Sequence, residues 1–164
     1  MPSPIPTSAT LEIDAPLSQV FEAACGFDIP FIIRSRGIVP GVLKVEEHKG
    51  RWSAVGQKRL LTLTDGSSVR EELTEYAPNV KYSYRVSGFT GPFAALVSEG
   101  RGDWHFTMSS TNRTRIDWTY AFKPKGAASG PAVWFIVKIL WPGYMRAALE
   151  RLKQDVEARP RAAA

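Results

Sequence analysis

The sequence is poor in the residues that build disulfide frameworks and metal centres. It contains one cysteine, Cys25, and two widely separated histidines, His48 and His105. A lone cysteine cannot form an intramolecular disulfide, and these three residues show no metal-ligand spacing. Glycine-rich phosphate loops, dinucleotide fingerprints and Gly-x-Ser-x-Gly elbows are missing as well. We therefore expect neither a metal ion nor a cofactor.

Long hydrophobic runs and targeting signals are also lacking. The opening MPSPIPTSAT has no basic segment followed by an apolar one, and no run approaches about 18 apolar residues. The sequence therefore predicts neither a signal peptide nor a membrane span, and a cytoplasmic location is the default expectation.

Dense basic segments are absent although the net charge is +5. The 21 lysines and arginines are scattered and interleaved with acidic residues, as in KVEEHKG and VREELTE. Proteins that bind single-stranded nucleic acid combine a basic groove with exposed aromatic residues, and no stretch here has both. We expect no nucleic-acid partner.

Short alternating segments make up most of the chain. A length of 164 residues predicts one domain, residues 1–164, with frayed ends at 1–6 and 159–164. TLEIDAP is typical of a first strand, and LSQVFEAACG and DIPFIIRSRG are typical of two short helical pieces. Six further segments, separated by turn-forming residues, predict an antiparallel meander and an α+β fold: GVLKVEEHKG, GQKRLLTLT, SVREELTEY, VKYSYRV, VSEGRGDWHFTMSS and TRIDWTYAF.

The last segment predicts one long helix from Pro131 to Ala158. Its apolar residues recur at three- and four-residue steps: Trp134, Val137, Trp141, Met145, Ala148, Leu149, Leu152 and Val156. Such a helix reaches roughly 40 Å, which is enough to cross an antiparallel sheet. Because Pro142 and Gly143 interrupt it, we expect either a bend or break between Trp141 and Tyr144, or a fixed corner after which Pro142 starts a second helix.

Alternation in the last two strands predicts that one face of the sheet carries mostly aromatic side chains, and this face must be covered by another part of the chain. The residues on that face are Trp104, Phe106, Ile116, Trp118, Tyr120 and Phe122. Gly100 and Gly102 are expected sites of a β-bulge, which would turn Glu99 or Arg101 inward.

The LTLTDGSSV hairpin leaves two strand registers open. A two-residue Asp-Gly turn pairs Leu60 with Glu71, and a three-residue Asp-Gly-Ser loop pairs Leu61 with Glu71. The second agrees better with the hydrophobic pattern, because it places four apolar residues on one face: Leu61, Leu63, Val69 and Leu73. Glu71 then lies on the covered face, where a carboxylate must be paired, neutral or wetted by a cavity.

The order of elements and several motifs resemble the START-like (SRPBCC) superfamily, and in particular its polyketide cyclase/dehydrase-like helix-grip proteins. The motifs are IDAPLSQVFEAA, GQKRLLTLTDGSSVREELTEYAP, RTRIDWTY and RAALERLKQDVE, and the resemblance covers nearly the whole chain. It implies a seven-stranded curved antiparallel sheet wrapped around the long C-terminal helix, with two short helices after strand 1. It also implies a deep pocket between the sheet and that helix.

Two classes of function are consistent with such a pocket. The first is a carrier or sensor that binds a small hydrophobic or aromatic metabolite of the lipid, polyketide or terpenoid class. The second is a cofactor-independent cyclase, dehydratase or isomerase with Glu71 as general base and Tyr84 or Tyr120 as its partner. Binding is favoured, because no second acid and base lie clearly on the covered face. The predicted ligand-binding residues are Leu61, Leu63, Glu71, Tyr84, Trp104, Phe106, Trp118, Tyr120, Trp134, Trp141 and Met145.

The entrance to the pocket is expected between the C-terminal helix and two loops, GFTGPFAAL and KPKGAASGP. Its predicted flanking residues are Phe89, Phe93, Trp141 and Tyr144. Lys123 and Lys125 are expected at its rim, where they would steer acidic ligands or support a transient membrane contact. The sequence does not predict an oligomeric state.

Overall fold

Seven strands form one antiparallel sheet in the computed structural model, which describes residues 2–48 and 50–160. The strand order is β1-β7-β6-β5-β4-β3-β2, so the sheet is a meander in which only β1 crosses to the far edge. The strands are β1 Ile5–Ile13, β2 Val42–Glu46, β3 Lys58–Leu63, β4 Ser68–Ala77, β5 Lys81–Ser87, β6 Val97–Ser110 and β7 Arg113–Pro124. Two helices follow β1, namely α1 Leu17–Gly26 and α2 Ile29–Ile32, and they confirm the predicted order.

The N-terminal end of the chain is more ordered than expected. Strand β1 begins at Ile5, inside the stretch expected to be frayed, and Ile5 pairs with Phe122. At the other end, the N–H of Arg159 donates to the carbonyl of Val156. The last four residues of the stretch 159–164 lie outside the described residues.

The C-terminal helix is a continuous helical run, Ala127–Glu157, whose hydrogen-bond pattern changes along its length. A 3-10 turn, Ala127–Ser129, leads into α3 Gly130–Phe135, a π-helical segment Ile136–Leu140 and α4 Trp141–Glu157. The N–H of Trp141 donates to the carbonyl of Ile136, five residues back. The predicted break between Trp141 and Tyr144 is wrong, because α4 runs without interruption from Trp141 to Glu157. The irregularity lies just before Pro142, which has no N–H and is accommodated in the first turn of α4.

One face of this helix packs against the sheet. Its buried residues are Val133, Val137, Tyr144, Met145, Ala148, Leu149, Leu152 and Val156. Trp134, predicted on that face, is instead 51% exposed. Val133 and Val137 occupy the buried side of the helix there, and the π segment then changes which positions face the core. By length and composition alone this run could also cross a membrane, contrary to the expectation from the sequence. Its packed face, from Val133 to Val156, belongs to the hydrophobic core of the domain.

The β3–β4 hairpin adopts a register that differs from both predicted alternatives. Leu61 pairs with Val69 and Arg59 pairs with Glu71. The loop covers residues 64–66 because its last position is left-handed, with Gly66 at φ 86°, where glycine is favoured. This pairing differs by two residues from the favoured alternative, so the same side chains stay on the covered face.

The expected bulge at Gly100 and Gly102 is also wrong. The β6–β7 ladder is regular from Glu99 to Met108, and its register shifts lie outside that range. Glu99 and Arg101 therefore remain exposed on the outer face of the sheet.

Candidate ligand-binding site

A cavity of about 350 Å³ lies between the sheet and the C-terminal helix. Its size is within the range of small-molecule pockets. Strands β5 to β7 supply an aromatic floor, strands β3 and β4 supply one wall, and the region around the π segment supplies the roof. The main lining residues are Arg59, Leu61, Leu63, Val69, Glu71, Tyr84, Trp104, Trp118, Tyr120, Phe122, Ile136, Leu140, Trp141 and Tyr144.

Cross-strand aromatic pairs form the floor. Trp104 of β6 lies directly opposite Trp118 of β7, with ring centroids 4.6 Å apart. Tyr120, two residues beyond Trp118, contacts Trp141 of the helix at 5.4 Å. Alternation along each strand places these rings on one face, where neighbouring rings stabilise each other.

Two glycines leave room for this floor. Tyr84 lies opposite Gly102, and a Cβ at Gly102 would lie 2.2 Å from the Tyr84 ring. A Cβ at Gly100 would lie 2.9 Å from the ring of Phe122. The rings can therefore lie across the sheet, which leaves the space above them open.

An ion pair lies in the wall of the cavity. The Nε of Arg59 donates to Oε2 of Glu71 over 2.7 Å, and both side chains are nearly buried. The guanidinium of Arg59 also lies over the Trp52 ring, 3.9 Å from its centroid. Pairing is one of the three states that the sequence predicts for Glu71, and it offsets the cost of burying the carboxylate.

Three tryptophans that line the cavity have buried hydrogen-bond donors without an acceptor among the described residues. The indole N–H groups of Trp104, Trp118 and Trp141 are buried and have no hydrogen-bond partner within residues 2–48 and 50–160. The first two lie near the Tyr84 hydroxyl, without hydrogen-bond geometry to it. Burial, followed by the negative charge of Glu71, raises the pKa of Tyr84 well above its usual value. Burial likewise raises the pKa of Tyr120, so both phenols remain neutral donors.

The predicted site residues divide into two groups. Those that line the cavity are Leu61, Leu63, Glu71, Tyr84, Trp104, Trp118, Tyr120 and Trp141. Phe106, Trp134 and Met145 do not line it. Phe106 packs against Phe21 of α1 with centroids 5.0 Å apart, Met145 is fully buried in the core, and Trp134 faces outward.

Arg59 is a charged residue of the cavity wall that was not predicted from the sequence. It lies two residues before Leu61 in β3, so the alternation that placed Leu61 on the covered face also places Arg59 there. Arginine is rarely buried without a partner, and its ion pair with Glu71 meets that condition here.

The four residues expected to flank the entrance all belong to the cavity lining. They are Phe89, Phe93, Trp141 and Tyr144. Exposed lining residues at the mouth are Ile38, Asp65, Thr90 and Pro92. Lys123 and Lys125 do not line the cavity, and the Nζ of Lys125 donates to the Ala94 carbonyl over 3.1 Å.

A curved antiparallel sheet that holds one long C-terminal helix over a cavity defines the helix-grip fold. Residues 5–157 match the family described as polyketide cyclase / dehydrase and lipid transport, and the chain belongs to that family. A search of curated proteins gave no match.

Solved structures share this fold over nearly the whole chain. The Zhui aromatase/cyclase from a Streptomyces species is similar with a TM-score of 0.72 and 19% identity, covering 99% of each chain. Norcoclaurine synthase from Thalictrum flavum is similar with a TM-score of 0.68 and 14% identity, covering 98% of this chain and 91% of its own. Ara h 8.0201 is similar with a TM-score of 0.70 and 16% identity, covering 96% of this chain and 100% of its own. At these identities the likeness shows the fold alone.

Proposed function

We propose that this protein is a soluble, cytoplasmic carrier or sensor for a small, flat aromatic or polycyclic metabolite that carries carbonyl or ether oxygens. The observation that carries the proposal is that three tryptophans lining the cavity have buried indole N–H donors without acceptors among the described residues. A buried donor without a partner costs about 1–3 kcal/mol, and a ligand oxygen removes that cost.

The rest of the wall supports this ligand class. The aromatic floor offers flat surfaces that stack on a ring system, whereas a flexible hydrocarbon chain would leave the donors unpaired. Oxygenated polyketides and terpenoids combine an apolar skeleton with hydrogen-bond acceptors. The Arg59–Glu71 pair adds one polar anchor at the edge of the floor.

The test compares two probes of similar shape, fluorenone, which has a carbonyl, and fluorene, which does not. Tryptophan quenching gives the dissociation constant of each probe for the wild type and for Trp104→Phe, Trp118→Phe and Trp141→Phe. Each substitution keeps an aromatic ring and removes one N–H. Fluorenone affinity should fall about 2- to 10-fold for at least one variant, while fluorene affinity changes little.

The matched control is Trp134→Phe, which removes an exposed indole outside the cavity. Within each variant we take the ratio of the dissociation constants of the two probes, which cancels their different solubilities in water. If every substitution changes the affinities for fluorenone and fluorene equally, the unpaired donors do not select the ligand. Native mass spectrometry of freshly purified protein then identifies the chemical class of any retained molecule.

A second candidate function is cofactor-independent proton transfer. It is favoured by one observation: the Glu71 carboxylate shares the cavity with the neutral phenols of Tyr84 and Tyr120. Glu71 would accept a proton from carbon, and a phenol would stabilise the resulting enolate. Glu71→Gln separates the candidates, because a catalyst should lose about 100-fold or more in turnover, whereas a carrier should lose about tenfold in affinity.

A further inference from the structure

Among the described residues, the lysines and arginines without ionic partners are unevenly distributed along the chain. On the outer face of the sheet the arginines form ion pairs, as Arg85 does with Glu72 and Arg115 does with Asp117. Within residues 2–48 and 50–160, the lysines and arginines with no acidic group in ion-pair distance are Arg34, Arg36, Lys123, Lys125, Lys138, Arg146 and Arg151. All but the last fall in two stretches, residues 29–45 and 118–149, that contain no Asp or Glu.

These two stretches also carry six large exposed apolar side chains. Four of them form what we call the rim patch: Ile38, Trp134, Phe135 and Ile139. Ile38 lines the cavity mouth and is 82% exposed. Phe135 and Ile139 lie four residues apart on one side of the helix, next to the residues at 136 and 140 that line the cavity. The rim patch therefore borders the entrance.

Cations are interleaved with the rim patch. Arg36 lies against the helix, where a Cβ at Gly143 would be 3.0 Å from its Nε. Lys138 lies between Phe135 and Ile139 in the sequence and donates to the Pro6 carbonyl. Apolar and aromatic side chains flanked by cations are typical of surfaces that bind anionic lipid bilayers. The acidic group at the mouth, Asp65, lies on the β3–β4 hairpin and accepts a hydrogen bond from the Ser67 N–H.

We propose that the rim patch and its flanking cations dock on an anionic lipid bilayer, with the cavity mouth facing the membrane. This docking requires no ligand in the cavity and is independent of the proposed function. A symmetric dimer through this face is disfavoured, because it would bring the same unpaired cations together. A nucleic acid would neutralise the cations but leave the apolar side chains exposed to water.

The test uses sucrose-loaded vesicles of phosphatidylcholine with and without phosphatidylserine, pelleted with the full chain. We expect binding only when phosphatidylserine is present, and weaker binding as salt is raised. Arg36→Gln with Arg146→Gln should weaken binding by about 30-fold. Phe135→Ser with Ile139→Ser should weaken it by about tenfold or more and abolish the blue shift of Trp134 emission on binding.

Two controls match these variants. Arg85→Gln with Arg115→Gln removes the same charge from the outer face, and Val80→Ser removes an exposed apolar residue from the β4–β5 turn. Both should bind vesicles within about twofold of the wild type. The proposal would be overturned if the two double arginine variants lost equal vesicle affinity, or if the wild type did not bind vesicles at low salt. A dimer that Ile139→Ser dissociates would also overturn it, as would oligonucleotide binding that is tighter than vesicle binding and unaffected by Phe135→Ser.

Discussion

Gly102 and Tyr84 lie directly opposite each other in the β5–β6 ladder, and the Tyr84 ring occupies the space of the missing side chain. The pair sets how close the aromatic floor lies to the sheet. The depth of the cavity therefore depends on a residue that has no side chain.

Gly102→Ala should destabilise the protein and reduce the cavity. The new methyl group would lie 2.2 Å from the Tyr84 ring, which must move toward the helix. We expect a loss of about 1–3 kcal/mol in urea unfolding and weaker binding of a fluorescent apolar probe. Gly130→Ala is the control, because a Cβ there meets nothing within 4 Å and Gly130 has helical dihedral angles. Unchanged stability and probe binding in Gly102→Ala would contradict this account of the floor.

Removing one partner of the Arg59–Glu71 pair should cost more than removing both. Arg59→Met leaves the carboxylate of Glu71 nearly buried and without its partner, and should destabilise the protein by about 3–5 kcal/mol. The double variant Arg59→Met with Glu71→Leu should be closer to the wild type. Arg70→Met, which breaks an exposed pair with Glu47, should cost no more than about 1 kcal/mol. If both arginine variants lose equal stability in urea unfolding, the buried pair has no special role.

Alkaline pH should destabilise the fold through its buried acids. Burial raises the pKa of Cys25 to about 11, and burial raises the pKa values of Tyr82, Tyr84, Tyr120 and Tyr144 above their usual range. The unfolded chain releases these protons at lower pH than the native chain does. The free energy of unfolding should therefore be unaffected by these groups below about pH 8 and fall as pH rises above about 9.

Urea unfolding across this pH range measures the effect, and tyrosinate absorbance should rise together with unfolding. Cys25→Ala is the control, because it removes the thiol contribution and should delay the decline until the tyrosines begin to ionise. Tyrosinate absorbance from the buried phenols in a chain that remains folded would disprove the prediction.

The π segment should control the rate at which ligands pass the mouth. Replacing Pro142 and Gly143 with alanines restores an N–H and lets the α-helical pattern continue through residues 136–142. We expect several-fold slower probe entry and exit in stopped-flow experiments, with a smaller change in equilibrium affinity. Pro131→Ala is the control, because it makes the same substitution in the first turn of α3, at a residue that does not line the cavity. Equal rates in both variants would refute this gate.

The strands and the long helix could be predicted because their signals are local. Alternation and turn residues define each strand, and the same parity places Glu71 and Trp118 on the covered face. The slip to i−5 hydrogen bonding at Trp141 has no signature in apolar spacing, so the exposure of Trp134 was not predicted.

Features that depend on two strands at once could not be read from one segment. Gly102 is consistent with either a bulge or a close approach, and only its partner Tyr84 decides between them. The hairpin register depends on which residue takes the left-handed position, and Gly66 takes it. Arg59 was missed for the same reason, since its pairing with Glu71 lies across the hairpin.

The pairing of β1 with β7 has a consequence for synthesis on the ribosome. The first strand to emerge, Ile5–Ile13, forms its ladder with the last strand, Arg113–Pro124, so it has no sheet partner until most of the chain has been made. At a synthesis rate of roughly 5–20 residues per second, its apolar side chains have no sheet partner for several seconds while the intervening strands emerge. The sheet can therefore be completed only after β7 has been made, and nascent-chain chaperones have that interval in which to shield β1.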